Sequence, residues 1–210
     1  MDGERADELA SPELREGIAG WHRALSVVTD WLILSGDLSP ESSEAVAQLD
    51  EWQAAGVTDI IDVRAEWSDL DLVQQVAPGL RYWYLGTHDD GGRQDDSWFE
   101  EGLAAARAAL EQPGAVLLVH CHMGINRGPS MGFRILLDQG WDPIDALAAI
   151  RSARPIAAIA YAPDAIDHHR RSLQLPQSEV SEGRAEVERW LVTNGIDVST
   201  IIRRIRRTDG

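Results

Sequence analysis

Four short stretches rich in apolar or aromatic residues are separated by longer stretches with the spacing of amphipathic helices. The short stretches lie at 31–34, 58–63, 81–85 and 115–119. Short apolar runs that end in turn residues predict β-strands. The run at 115–119 is apolar without a break, which is typical of a central strand buried on both faces of a sheet. Strands that alternate with helices predict an α/β fold, in which a central, largely parallel sheet is flanked by helices.

Capping residues predict where the helices begin and end. Ser39 and Pro40 have the residue types of an N-cap and a first helical position, and Gly56 suits the position just after the end of the same helix. The other predicted helices cover 67–76 and 97–110 and begin near Pro129, Pro143 and Pro163.

The second half of the chain contains a change of composition. The polar stretch 176–183 is typical of a break between domains, and beyond it 184–194 and 199–207 have the pattern of two short helices. We therefore expect three parts, namely an N-terminal helical segment over 1–25, a main α/β domain over 26–175 and a C-terminal helical extension over 176–210.

The net charge and the number of cysteines disfavour some classes of partner and exclude some kinds of site. The formal net charge of −16 disfavours nucleic acid and anionic lipid as general partners, because like charges repel. Cys121 is the only cysteine, so neither an internal disulfide nor a cysteine-rich metal site is possible within one chain. No apolar run approaches the roughly 18 residues of a membrane span, and the acidic N-terminus is unlike a signal peptide. We therefore expect a cytoplasmic protein.

The stretch 120–127 carries the candidate chemistry, since it follows the predicted central strand and precedes a predicted helix. A short loop in this position turns its N–H groups inward, and the helix N-terminus adds partial positive charge. Gly124 permits a tight turn and the close approach of an anion, while Arg127 can bind two phosphate oxygens with its planar guanidinium. This arrangement predicts an oxyanion site and a pKa of the Cys121 thiol below its usual range.

The spacing of Cys121 and Arg127, with five residues between them, resembles the signature of the cysteine-dependent protein tyrosine phosphatases, in particular the dual-specificity class. The resemblance extends over about 31–173, and includes an acidic loop around Asp90 and a helix that ends near Arg154. It implies a phosphatase domain in which Cys121 attacks phosphorus as a thiolate and forms a phosphocysteine intermediate. Arg127 would hold the phosphoryl oxygens, and neither a metal nor another cofactor is implied.

The resemblance also implies roles for residues around the nucleophile. His120 would help to hold the loop and the thiolate. Asp90, favoured by the Asp-Gly-Gly pattern, would protonate the leaving oxygen and later activate water, although counting back from Phe99 allows Asp89 in the same role. The residues implied to bind the phosphate are His122, Met123, Gly124, Ile125, Asn126, Arg127 and Ser130.

One departure from the family pattern follows the arginine, where Gly128 replaces the usual Ser or Thr whose hydroxyl assists departure of the thiolate. We therefore expect slow breakdown of the phosphocysteine. The favoured substrate is a phosphorylated protein or peptide, with phosphotyrosine ahead of phosphoserine and phosphothreonine. Two alternatives stay open, namely a phosphate-binding or weakly active pseudophosphatase-like module, and a phosphatase of phosphoinositides or other small molecules.

Overall fold

The computed structural model describes residues 21–208, which contain a five-stranded sheet. Its strands are β1 (Ser26–Val27), β2 (Leu32–Ser35), β3 (Asp59–Arg64), β4 (Arg81–Thr87) and β5 (Leu117–His120). They lie in the order β1, β2, β5, β3, β4, and β1 pairs with β2 in an antiparallel manner while the other pairs are parallel. The predicted α/β fold with a largely parallel sheet is therefore confirmed.

Eight α-helices within residues 21–208 connect and flank the strands. In chain order they are α1 (Ser42–Ala54), α2 (Leu70–Val76), α3 (Asp96–Leu110), α4 (Arg127–Asp138), α5 (Pro143–Ala153), α6 (Ala162–Ser172), α7 (Gln177–Thr193) and α8 (Val198–Thr208).

Each face of the sheet carries its own apolar core. Helices α1 and α2 cover one face, where Leu118 of β5 belongs to the same cluster as Leu49 and Trp52. Helices α3 to α7 contribute to the cluster on the other face, which includes Leu117 and Val119. Since successive side chains of a strand point to opposite faces, β5 is buried on both sides, as its unbroken apolar sequence predicted.

The register of the central strands brings three loops together at one edge of the sheet. His120, at the end of β5, pairs with Ser35 of β2 and with Asp62 of β3. Because these strands are parallel, the segments that follow them begin side by side. The carboxyl edge of a parallel sheet is the usual place for a ligand site in α/β folds.

Local signals predicted some helix ends correctly and one incorrectly. Gly56 follows α1 with a φ of +85°, and α5 begins at Pro143, both as predicted, and the side chain of Asp142 caps α5. Helix α1, however, begins at Ser42 rather than next to Ser39. Ser39 lies outside the helix, and its N–H donates a hydrogen bond to the side chain of Gln48 at 2.6 Å.

The polar stretch 176–183 is helical rather than irregular, because α7 already begins at Gln177. Its polar residues form the solvated face of an amphipathic helix, whereas Val180, Gly183 and Val187 are buried at helical spacing. Strand β1 was not predicted, since a two-residue strand with one exposed residue leaves no hydrophobic pattern.

The described residues include only the end of the predicted N-terminal helical segment 1–25, where Trp21–Arg23 form a short 3-10 helix. Helices α7 and α8 lie within the predicted C-terminal extension 176–210. The division of the chain into three parts stays a prediction. No helix between residues 21 and 208 is both long and apolar enough to cross a bilayer.

Candidate active site

The loop between β5 and α4 has a cysteine at its start and an arginine at its end. Cys121 follows β5 directly and Arg127 is the first residue of α4, and both side chains are buried. The backbone N–H of Gly128 acts on the Cys121 sulfur and lowers the pKa of its thiol. Within the described part of the chain, no N–H group from 122 to 126 has a hydrogen-bond acceptor. The loop therefore presents free donors at a helix N-terminus, as an oxyanion site requires.

Gly124 lets this loop pass close to a buried arginine. Its φ is +64°, and a Cβ there would lie 2.6 Å from the carbonyl oxygen of Ser35 and would overlap the guanidinium of Arg154. Arg154 donates hydrogen bonds to the carbonyl oxygens of Gly124 (2.6 Å), Met123 (3.2 Å) and His22 (2.5 Å). The glycine is therefore required by the arginine that fastens the loop to the N-terminal part of the described chain.

Glu66 forms a doubly hydrogen-bonded ion pair with Arg127, and the sequence did not predict it. Its carboxylate oxygens accept hydrogen bonds from Nη1 and Nη2 of Arg127 at 2.8 and 2.7 Å, and Nη1 also donates to the carbonyl of Thr87 at 2.8 Å. Burial is the largest single influence and would raise the pKa of Glu66, but the hydrogen bonds from Arg127, a backbone hydrogen bond and the positive charge of Arg127 together outweigh it and lower this pKa to about 2. Glu66 lies two residues after β3, at the sheet edge where β5 also ends, and that position was its only signal in the sequence.

The predicted low pKa of the Cys121 thiol is wrong for this arrangement. Burial of the sulfur raises the pKa, and its effect exceeds the lowering by the charge of Arg127 and by the Gly128 N–H. The ion pair with Glu66 compensates part of the Arg127 charge, and the nearby carboxylate of Asp89 raises the thiol pKa further. The thiol is therefore mainly protonated at neutral pH in this state.

The two candidate general acids of the acidic loop have different partners. Asp89 accepts hydrogen bonds from Nδ2 of Asn126 (2.8 Å) and from the hydroxyl of Tyr161 (2.7 Å), and its other oxygen lies 3.7 Å from Nε of Arg127. Asp90 is exposed and accepts a hydrogen bond from an N–H of its own loop at 2.8 Å. Of these two carboxylates, only that of Asp89 is thus hydrogen-bonded to the loop between β5 and α4, which is called the phosphate loop below.

His120 is fully buried at the end of β5. Neither of its ring nitrogens has a hydrogen-bond partner among residues 21–208, and Nε2 lies 3.9 Å from Oδ1 of Asp62. Burial, assisted by the positive charge of Arg64, lowers the pKa of His120 to about 3. The imidazole next to the candidate nucleophile is therefore neutral in the folded protein.

His122, directly after the cysteine, is anchored by the segment that follows β2. Its Nδ1 lies 2.6 Å from Oδ2 of Asp37, and its carbonyl accepts a hydrogen bond from the Asp37 N–H at 3.0 Å. The ring of Trp67 packs edge to face against the imidazole, with 5.3 Å between the ring centroids. Asp37 itself is fully buried and pairs with Arg23 at 3.1 Å. This buried carboxylate was not predicted from the sequence.

Asn126 and Ser130 join the phosphate loop to the segment before α6. Oδ1 of Asn126 accepts hydrogen bonds from the N–H of Ala160 (2.7 Å) and from the hydroxyl of Ser130 (3.3 Å). The Ser130 hydroxyl also accepts a hydrogen bond from the N–H of Tyr161 at 3.2 Å. Ser130 is fully buried, so its hydroxyl serves this junction rather than the open side of the loop.

These side chains surround a cavity of about 450 Å³. The predicted site residues that line it are Asp89, Asp90, Cys121, His122, Met123, Ile125, Asn126 and Arg127. Three other predicted site residues do not line it, namely His120, Gly124 and Ser130. Among the lining residues that were not predicted are Glu66 and two side chains of α8, Val198 and Ile202. Residues 21–208 contain no group of three or more His, Cys, Asp or Glu that could hold a metal ion.

Comparison with known proteins identifies the fold. No family model matches the sequence. Human DUSP28 is 23% identical with a TM-score of 0.58, and the match covers 72% of this chain and 95% of that one. A mouse dual-specificity phosphatase in complex with zinc tungstate is 20% identical with a TM-score of 0.58, covering 74% and 94%. PTPMT1 in complex with PI(5)P is 16% identical with a TM-score of 0.57, covering 71% and 97%. The chain therefore has the fold of the dual-specificity phosphatases, which confirms the resemblance at the level of structure.

Proposed function

We propose that the protein hydrolyses phosphomonoesters through a phosphocysteine intermediate on Cys121. The observation that carries this proposal is the meeting, in one cavity, of a cysteine, an arginine held by a carboxylate and a row of N–H groups without acceptors among the described residues. A loop of this kind at a helix N-terminus suits a tetrahedral oxyanion. The fold shared with dual-specificity phosphatases supports the same chemistry.

Two displacements at phosphorus make up the proposed reaction. In the first, the Cys121 thiol loses its proton to water, the thiolate forms a bond to phosphorus, the bond to the leaving oxygen breaks, and an acid of the acidic loop gives that oxygen its proton. In the second, the resulting carboxylate takes a proton from water, the water oxygen bonds to phosphorus, and the thiolate departs as phosphate is released. Arg127 and the loop N–H groups stabilise the charge on the equatorial oxygens in both transition states.

We assign the general acid to Asp89 and keep Asp90, which the sequence pattern favoured, as the competing assignment. The hydrogen bonds from Asn126 and Tyr161 to Asp89 support this choice, because they hold its carboxylate against the phosphate loop. Asp89→Asn should lower kcat/KM for a phosphotyrosine peptide by about 10²–10⁴-fold, the usual contribution of general acid catalysis. The matched Asp90→Asn should have a much smaller effect. A larger loss in Asp90→Asn would give the role to Asp90.

The test of the proposed function is phosphate release by the full-length protein and its Cys121→Ser variant. With a phosphotyrosine peptide as substrate, we expect many turnovers by the wild type and none by the variant, because a hydroxyl at this position is a far weaker nucleophile than a thiolate. Activity that survives Cys121→Ser would refute the phosphocysteine mechanism.

The substrate class that we propose is a phosphorylated protein or peptide, with phosphotyrosine favoured. The competing class is a phosphoinositide, since one structural neighbour, PTPMT1, is in complex with PI(5)P. Rates measured on a phosphotyrosine peptide and on PI(5)P, with the same enzyme preparation, separate the two classes.

A second candidate function, a phosphate-binding or weakly active module, is favoured by the residues after Arg127. Gly128 has no hydroxyl to assist thiolate departure, and the Ser130 hydroxyl is occupied by Asn126 and by the N–H of Tyr161. Stopped-flow assays with p-nitrophenyl phosphate distinguish the functions. A burst of about one nitrophenolate per enzyme, followed by negligible turnover, would support the module, whereas sustained turnover supports the phosphatase.

A further inference from the structure

The C-terminal helix α8 forms part of the wall of the catalytic cavity. Val198 and Ile202 are four residues apart and therefore lie on the same face of α8, and both line the cavity. Ile205, on the next turn, is fully buried. Asp197 fixes the start of the helix by accepting hydrogen bonds from the N–H (2.9 Å) and the hydroxyl (2.7 Å) of Thr200.

Contacts outside the cavity hold α8 in this position. Arg151 of α5 donates a hydrogen bond to the carbonyl of Asn194 at 2.5 Å, in the connection between α7 and α8. The same guanidinium lies 5.4 Å from the centroid of the Trp190 ring. Further along α8, the guanidinium of Arg204 lies 5.8 Å from the ring centroid of Trp21. The helix is thus tied to the rest of the described chain on both sides of the residues that line the cavity.

The lining of the cavity combines one strong cation with several carboxylates and a large apolar surface. Arg127 is the one arginine or lysine among the described residues that line it, and Glu66, Asp89 and Asp90 contribute carboxylates. A second phosphate on a substrate would therefore meet negative charge rather than a cation. The apolar surface comes from Met123, Ile125, Ala158, Ala160, Val198 and Ile202.

We propose that Val198 and Ile202 determine substrate specificity by contacting the aromatic ring of phosphotyrosine when its phosphate is bound in the loop. This inference rests on the proposed function and deepens it. Burial of a flat ring against these side chains is favourable, whereas the hydroxyls of an inositol ring would lose hydrogen bonds to water without gaining partners there. The C-terminal helix thereby selects aryl phosphates for the catalytic loop.

Equilibrium binding of two non-hydrolysable phosphonates tests the inference without any need for turnover. Phenylphosphonate carries a ring and methylphosphonate does not, so the ratio of their Kd values isolates the contact with the ring. The wild type should bind phenylphosphonate more tightly. Ile202→Ala should raise the Kd of phenylphosphonate about fivefold and leave the Kd of methylphosphonate unchanged, as expected for loss of part of an apolar contact. Ile201→Ala, a neighbouring apolar residue of α8 that does not line the cavity, is the matched control and should change neither Kd.

Equal weakening of both phosphonates by Ile202→Ala, or no change in either, would overturn the inference. If Ile202→Ala does not fold, Val198→Ala can be tested in its place, with a higher Kd for phenylphosphonate and an unchanged Kd for methylphosphonate as the expected result. In turnover assays, the loss should appear in KM for a phosphotyrosine peptide rather than in kcat. A wild type that prefers phenylphosphonate but releases no phosphate from any substrate would count against the proposed function alone.

Discussion

Gly124 is the position at which the smallest chemical change should do the greatest damage to the site. A methyl group there must enter a space that the Ser35 carbonyl and the Arg154 guanidinium already fill, at a residue whose φ of +64° disfavours side chains. The loop cannot simply move away, because Arg154 binds the carbonyl oxygens of Gly124 and Met123. Gly124→Ala must therefore displace a buried, multiply hydrogen-bonded cation.

The size of this effect follows from two contributions. The left-handed backbone conformation costs a residue with a Cβ about 1–2 kcal/mol. Disrupting the partners of a buried charge costs about 3–5 kcal/mol, and Arg154 is 3% exposed with further hydrogen bonds to His22 and Ser26. Together they amount to about 4–7 kcal/mol, which is comparable with the whole free energy of unfolding of an ordinary domain.

Gly114→Ala is the matched control, because Gly114 has a φ of +76° and nothing within 4 Å of its would-be Cβ. It should cost only the backbone contribution of about 1–2 kcal/mol. Urea unfolding followed by tryptophan fluorescence measures both variants, and Gly124→Ala should lose at least about 3 kcal/mol more than Gly114→Ala or fail to give a cooperative transition. Two variants within about 1 kcal/mol of each other would refute the packing argument for Gly124.

Three further predictions concern ionisation. Because burial raises the thiol pKa, alkylation of Cys121 by iodoacetamide should keep accelerating above about pH 8.5, and a plateau near pH 7 would contradict this. Glu66→Gln removes the charge that compensates Arg127, so it should move this alkylation profile to lower pH, whereas the exposed control Glu51→Gln should not. His120 has a folded pKa of about 3 and an unfolded value near 6.5, so its contribution to stability is complete above about pH 6.5 and is lost as pH falls toward 3. In His120→Asn, the free energy of unfolding should therefore fall less steeply with decreasing pH in this range, by up to about 1.4 kcal/mol per pH unit. An unchanged slope in urea titrations would show that the imidazole is not the group responsible.

The central strand could be predicted from the sequence because burial on both faces leaves an apolar run that needs no knowledge of its neighbours. The run 115–119 predicts β5 in this way. β1 could not be predicted, since its two residues are specified by pairing with β2 rather than by their own pattern. The beginning of α7 was not predicted as helix, because its residues are mostly polar and few of them are buried. One solvated helix face of this kind resembles a linker in the sequence.

The candidate site was predictable only where its residues are close in sequence. Cys121, Gly124 and Arg127 belong to one loop, so their spacing carries the geometry. Glu66 comes from the end of another strand, and Ile202 comes from a helix that is far away along the chain. Both reach the cavity through the packing of the fold, which local spacing does not encode.

The thiol of Cys121 illustrates what this missing information changes. Taken as a local motif, a cysteine beside Arg127 at a helix N-terminus should ionise easily. In the fold, burial removes water from the sulfur and Glu66 binds the arginine with both oxygens, so the same motif favours the protonated thiol. An incoming phosphate dianion would compete with Glu66 for the donors of the guanidinium. The ionisation of Cys121 therefore depends on a carboxylate just after β3 that binds Arg127, and the Glu66→Gln alkylation profile measures the effect of that carboxylate.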